Sequence, residues 1–128
     1  MPNIYPPGLT PANGPGLAYT AIDQDYTIAP DTLVASNDDD GVHSSFAGAN
    51  LHNFGTVISG DSSDDGVSFT SGGFVENGST GLIIGNQFGV SVTGELAGNT
   101  SVVFNAGSIQ SGVYAVIVSS LGEALLNN

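Results

Sequence analysis

Two aspartate clusters are the residues of this chain whose type and spacing best suit ligand chemistry. They occupy residues 38–40 and residues 61–65, and in each cluster the last two aspartates directly precede a Gly-Val pair. Carboxylate oxygens are the ligands that Ca²⁺ prefers. If the fold brings the two pairs together, they either bind a hard cation such as Ca²⁺ or turn their carboxylates into water. The four candidate ligands are Asp39, Asp40, Asp64 and Asp65.

The chain offers almost nothing else to neutralise these acids. It contains 12 Asp and Glu residues, no Lys and no Arg, and its formal net charge is −12. Positive charge can come only from the N-terminal amine, His43 and His52. Since nucleic-acid binding depends on Lys and Arg contacts with phosphate, the composition predicts no nucleic-acid partner. The same charge disfavours anionic membrane surfaces.

Catalysis is not expected from these residues. His43 and His52 are interpreted as ordinary surface or corner residues. The chain has no cysteine, no Gly-x-Ser-x-Gly nucleophile motif and no phosphate-binding loop with a lysine. Glycoside hydrolysis would need two carboxyl groups ~5–9.5 Å apart in a cleft, and a short chain has little material to build one. We therefore predict that the protein is not an enzyme.

Length and composition predict one domain of short strands. The 128 residues suit a single domain, and 19 glycines favour tight turns over helices. The predicted parts are a Pro/Gly-rich arm or cap over 1–18, a β-solenoid over 19–118, and a cap or truncation point over 119–128. No window approaches the ~18 apolar residues of a membrane span, so no membrane insertion is predicted. Residues 1–20 do not form a Sec signal.

Two sequence landmarks repeat along the chain and predict a β-solenoid. The first is a glycine before an apolar strand, and the second is an apolar residue two positions before an asparagine. A period in the twenties made of strands alone is typical of about four stacked turns, because stacking buries a core that one turn cannot. A β-sandwich is the alternative, in which the repeat register would be accidental. The first landmark occurs at Gly41-Val42, Gly66-Val67 and Gly89-Val90, and a fourth copy, Tyr114-Ala115, has the glycine replaced. The second landmark occurs as Leu51 with Asn53, Val75 with Asn77, and Val103 with Asn105.

Stacked turns predict which side chains meet. Equivalent residues on neighbouring parallel turns lie ~4.8 Å apart, so the four aspartates should gather at one corner of the first two turns. Like charges this close are unfavourable. The asparagines should form a ladder in which each amide bonds the next turn. The predicted inner columns are Val42, Val67, Val90 and Ala115, continued by Phe69 and Val92; Ile58, Ile83 and Ile109; and Leu51, Val75 and Val103.

The repeat units 53–60, 77–90 and 105–116 are similar to the N-x-G-T-I-x-G…G-V repeats of bacterial secreted β-solenoid proteins. These include autotransporter-passenger and haemagglutinin-like proteins and the repeat regions of calcium-dependent exoproteins. The resemblance covers residues 33–118. It implies a right-handed parallel β-helix that serves as a scaffold, adhesin stalk or assembly unit. No GGxGxD run occurs, so the resemblance does not imply a calcium-binding roll.

The predicted function is a structural or interaction module of a bacterial secreted or cell-surface protein that associates with itself end to end. Open strand edges supply the pairing groups. The net charge opposes association until salt, acid or Ca²⁺ screens it. The alternative is a carbohydrate-binding or carbohydrate-cleaving β-helix, which predicts an aromatic row on an outer face. The tyrosines do not follow the repeat spacing, which counts against it; they are Tyr5, Tyr19, Tyr26 and Tyr114.

Overall fold

Short apolar segments separated by Gly, Asn and Asp form parallel strands throughout the computed structural model, which describes the backbone of residues 3–5 and all of residues 13–128. Part of the predicted arm, residues 1, 2 and 6–12, lies outside this range. The strands are β1 (Asn3–Tyr5), β2 (Leu17–Ala18), β3 (Asp25–Ile28), β4 (Leu33–Ala35), β5 (Val42–Ser44), β6 (Ala49–Asn53), β7 (Thr56–Ile58), β8 (Val67–Phe69), β9 (Gly73–Asn77), β10 (Leu82–Gly85), β11 (Phe88–Gly94), β12 (Thr100–Asn105), β13 (Ser108–Ser111), β14 (Tyr114–Ser120) and β15 (Glu123–Asn127).

Each complete turn of the chain contributes one strand to each of three sheets. Sheet A has the order β1-β3-β6-β9-β12-β15, sheet B the order β2-β5-β8-β11-β14, and sheet C the order β4-β7-β10-β13. Neighbours within each sheet are parallel. The predicted parallel β-solenoid of about four turns is therefore confirmed, and the β-sandwich alternative is wrong. Within residues 13–128 the chain forms no helix long and apolar enough to cross a bilayer.

The register confirms two of the predicted columns. Val67 pairs with Val42 on one side and with Val90 on the other. In sheet A, Leu51, Val75 and Val103 pair in the same way. All six side chains are fully buried. In both columns the repeat spacing therefore placed the inward-facing residue correctly.

Two column predictions were wrong by one residue. Ile58 pairs with Ile84, whereas the fully buried Val57 lies in line with Ile83. Val90 pairs with Val116, and the exposed Ala115 is offset by one position. In both cases two apolar residues are adjacent. Since a strand turns alternate side chains inward, only one of them can enter the core.

The glycine of the first landmark has a packing reason. A Cβ on Gly66 would lie 2.5 Å from the carbonyl oxygen of Gly89 on the next turn and 2.5 Å from Cγ2 of Ile83. Gly41 has the equivalent contact with the carbonyl of Gly66, at 2.7 Å. The next turn therefore leaves no room for a side chain. Ala115 occupies the same place in the last turn, where no described strand follows and a side chain fits.

The two ends of the solenoid differ. In the first turn, Leu17, Ile28 and Val34 are 6 %, 0 % and 1 % exposed, and β1 adds a strand beside β3. In the last turn, Leu126 lies in line with the buried Val103 and is 49 % exposed. The core is therefore covered at its N-terminal end and open at its C-terminal end, which is called the open end below.

Candidate functional site

The acidic corner, defined as the four predicted aspartates with His43, lies where the chain enters strands β5 and β8. Carboxylate oxygens of Asp39, Asp40 and Asp64 all lie within 4.8 Å of one another, and these residues are half-buried. Asp65 is placed differently: it is 8 % exposed, and its Oδ1 accepts the N–H of Phe88 at 3.2 Å. The structure thus brings three of the four predicted residues into one cluster.

Backbone N–H groups take the place of the missing cations at this corner. Oδ1 of Asp40 accepts the N–H of Asp65 on the next turn at 2.8 Å, just as Asp65 accepts that of Phe88. Within single turns, Asp39 accepts the N–H of Asp40 and Asp64 that of Asp61, both at 2.7 Å. Hydrogen bonds to a carboxylate stabilise its charged form. Neighbouring turns are therefore tied together by carboxylates that accept backbone N–H groups.

Two groups at the corner have displaced pKa values. The hydrogen bond between Asp40 Oδ2 and His43 Nδ1, 2.9 Å long, raises the pKa of His43, and the charges of neighbouring aspartates add to it against the opposing effect of burial. Burial raises the pKa of Asp65 to about 6, helped by the charges of Asp40 and Asp64 and opposed by its hydrogen bond from Phe88. Asp65 therefore changes its protonation state in mildly acidic solution.

This titration predicts that the protein gains stability as the solution becomes mildly acidic. A carboxyl with a raised folded-state pKa stabilises the fold when protonated, so its contribution is complete below the ordinary value of 3.8 and is lost as pH rises through about 6. His43 has the same sign, because its raised pKa adds stability that is lost at higher pH. From pH 7.5 to pH 5, Asp65 alone should raise the free energy of unfolding by about 1 kcal/mol.

Urea denaturation of the wild type and of Asp65→Asn across this pH range checks the prediction. The asparagine keeps an acceptor for the N–H of Phe88 and removes the titration. The variant's stability should therefore depend less on pH, by about 1 kcal/mol over the range. Identical pH slopes for the two proteins would contradict the assignment to Asp65.

Calcium binding at the corner stays a prediction. The three clustered carboxylates supply the oxygen ligands that Ca²⁺ prefers, but a full shell takes about six to eight oxygens. Each carboxylate also already accepts a backbone hydrogen bond. Any ion would have to share these oxygens with the N–H groups that they now cap.

His52 lies on the outer face of sheet A between acids of two neighbouring turns. Its Nδ1 is 2.6 Å from Oε2 of Glu76, and its Nε2 is 3.5 Å from Oδ1 of Asp25. His43 lies beside Asp40, so each of the two histidines has at least one carboxylate next to it. The interpretation of the histidines as ordinary surface or corner residues did not anticipate these pairs. The contacts of His52 span neighbouring turns, whereas His43 and Asp40 lie three residues apart within one turn.

Aromatic side chains on the same outer face were also missed. The rings of Phe74 and Phe104 lie 5.8 Å apart, and the ring of Phe74 lies 5.5 Å from that of His52. Sequence reasoning tested only the tyrosines, and Tyr19 is in fact interior, at 4 % exposure. The missing signal was available: because Val75 and Val103 face inward, the residues directly beside each valine face outward.

The fold defines the class of this protein as a parallel β-solenoid of three sheets. Comparisons of the chain with protein-family models, with curated proteins and with solved structures found no match. The resemblance to secreted bacterial repeat proteins therefore stays a hypothesis, and a function can be inferred only from the chain's own surfaces.

Proposed function

We propose that this chain is a non-catalytic structural module of a bacterial secreted or cell-surface protein, and that it associates with a second copy through its open end. The exposure of inward-facing side chains in the last turn carries the proposal. Leu126 continues the column of Val103, yet it is 49 % exposed. An apolar side chain that faces the interior but remains in water stabilises the assembly when a further layer covers it.

The open end offers both apolar surface and strand edges. Ile109, Val116 and Leu126 are among the residues that line a hollow of about 350 Å³ there. The strands β13, β14 and β15 are the last members of their sheets, so one side of each lacks a strand neighbour in the described structure. Unpaired strand edges bind other strands through backbone hydrogen bonds. Another sheet edge with an apolar centre would match this surface.

The charge distribution favours a tail-to-tail arrangement, in which two open ends face each other. Nine of the twelve acids occur within residues 23–65, and only Glu123 occurs within the last strands, 114–127. A head-to-tail contact would place an open end against the acidic first turn, whose core is already covered. A contact of two like surfaces also closes on itself. The expected product is a dimer and not a filament.

Conditions that reduce repulsion should strengthen the dimer. Each copy carries a net charge of −12, and repulsion between like-charged molecules weakens as salt screens it. Acid adds protons to the carboxylates, and Ca²⁺ neutralises them in pairs. Association that responds to salt, to Ca²⁺ and to mild acid would support an extracellular role, where such conditions vary.

Sedimentation velocity over a range of protein concentrations tests the proposal. The wild type should form a dimer whose population rises with salt, with Ca²⁺ or at pH 5. Leu126→Glu places a charge inside the contact and should weaken association at least about tenfold, which corresponds to 1.4 kcal/mol. Leu96→Glu makes the same chemical change at a site 67 % exposed in the loop before β12 and should have no effect.

Two results would contradict this proposal. A wild type that stays monomeric under all these conditions would remove self-association altogether. If Leu126→Glu and Leu96→Glu weakened association equally, the effect would come from the added charge and not from its position at the open end.

A further inference from the structure

We infer that the outer face of sheet A contains a binding site for a neutral saccharide, centred on Phe74. Two hollows of about 420 Å³ and 400 Å³ share this side chain in their linings. Together they form the Phe74 groove. Its further lining includes Asn50, Asn99 and Thr100 on one side of the ring, and Glu76, Phe104 and Asn127 on the other.

The size and course of the groove suit an extended ligand. Each hollow falls in the range of ~300–1,000 Å³ that ligand pockets occupy. The first hollow includes the start of β9 at Gly73, and the second includes the end of β9 at Asn77. The two hollows therefore follow the strand direction on either side of Phe74, over ~15 Å of strand at ~3.3 Å per residue.

The ring pair supplies an apolar platform where the solenoid would otherwise present polar side chains to water. Phe104 is 37 % exposed, and its ring packs against that of Phe74 at 48°. Neither ring fills the interior, because Val75 and Val103 occupy the inward positions of β9 and β12. The face of an aromatic ring is electron-rich. It attracts the weakly positive C–H face of a sugar ring, whose hydroxyl groups point to the rim.

Neutral polar groups border this platform, as a ring with hydroxyl groups at its edge requires. Amide and hydroxyl side chains of Asn50, Asn99 and Thr100 line the first hollow. Nδ2 of Asn99 is buried and has no hydrogen-bond partner in the described part of the chain, so the Asn99 side chain would have to turn toward the hollow to reach a ligand. An amide can donate to one hydroxyl of a ligand and accept from another.

Charge selects the ligand class. The chain has neither Lys nor Arg, and His52, whose ring lies 5.5 Å from that of Phe74, already contacts Glu76 and Asp25. An acidic saccharide would therefore meet no unpaired counter-charge, and one oxygen of each of these two carboxylates is already engaged by His52. A ligand without charge, with apolar ring faces and many hydroxyl groups, meets all these conditions.

Isothermal titration of the full chain with neutral hexasaccharides tests the inference, with cellohexaose, maltohexaose and chitohexaose as the probes. At least one probe should bind in 0.15 M salt, where interactions between exposed charges more than ~8 Å apart are largely screened. Phe74→Ala should lower the affinity for that probe at least tenfold, and Phe74→Tyr, which keeps the ring, should retain it. Phe88→Ala serves as the control, because its ring stacks on Tyr114 outside the groove.

Circular dichroism establishes that each variant is folded before titration. The inference is overturned if none of the three probes binds, if Phe88→Ala loses as much affinity as Phe74→Ala, or if a hexalysine peptide binds the groove more tightly than every saccharide at this salt. Leu126→Glu should bind the saccharide as the wild type does. Binding by that variant therefore separates this inference from the proposed self-association.

Discussion

Replacing Asn77 with alanine should lower the free energy of unfolding by about 4 kcal/mol. Asn77 is fully buried in the middle of the asparagine ladder. Its Oδ1 accepts from Nδ2 of Asn53 at 2.8 Å, and its Nδ2 donates to Oδ1 of Asn105 at 2.8 Å. Alanine leaves a donor above and an acceptor below without partners, and a buried polar group without a partner costs more than the lost bond itself.

Urea denaturation and thermal melting measure this effect. A loss of about 4 kcal/mol corresponds to a melting temperature lower by about 15 °C in a domain of this size. Asn86→Ala is the matched control, because Asn86 is exposed and donates from its Nδ2 to Gly60 at 3.0 Å. The control should lose less than about 1 kcal/mol. Similar losses in both variants would mean that the ladder contributes nothing beyond an ordinary surface amide.

The second large effect is expected from Gly66→Ala, which should destabilise the fold by about 3 kcal/mol. The added methyl group would lie 2.5 Å from the carbonyl oxygen of Gly89 and 2.5 Å from Cγ2 of Ile83. One neighbour is the backbone of the next turn and the other is a fully buried core side chain, so neither can move away cheaply. Relief would require neighbouring turns to separate and lose hydrogen bonds.

Ala115→Gly is the control for this prediction, since it makes the reverse change at the equivalent position of the last turn. No strand follows there in the described structure, so the exchange should alter stability by only about 0.5–1 kcal/mol, the ordinary cost of glycine in a strand. Denaturation of both variants by urea provides the measurement. A Gly66→Ala protein as stable as the wild type would show that the repeated glycine serves the turn and not the packing between turns.

The asparagine ladder and the valine columns could be predicted from sequence because both depend on register alone. Parallel strands in a solenoid place residues one period apart directly over one another. Asn53, Asn77 and Asn105 therefore meet as predicted, and the ladder continues to Asn128 through a bond of 2.6 Å from Asn105. A repeated spacing is sufficient to specify such contacts.

The exchange of Ile58 for Val57 shows where spacing fails. Both residues are apolar, and the steps to Ile83, which are 26 residues from Val57 and 25 from Ile58, both suit a period in the twenties. The choice depends on how the corner after Asn53 closes. The conformation of that corner fixes whether Val57 or Ile58 points inward, and the repeat length carries no information about it.

The candidate sites likewise combine contacts that the sequence predicted with contacts that only the structure showed. Sequence alone predicted that turns stack in parallel register and that acids of successive turns approach one another, because equivalent residues of stacked repeats lie over one another. The structure decided between this arrangement and the β-sandwich. Only the tertiary structure decided that Asp65 turns to the N–H of Phe88, that His52 lies between Asp25 and Glu76, and that Phe74 and Phe104 share a platform. These outcomes depend on side-chain torsions and on diagonal contacts between turns, which are set by local packing and not by periodicity.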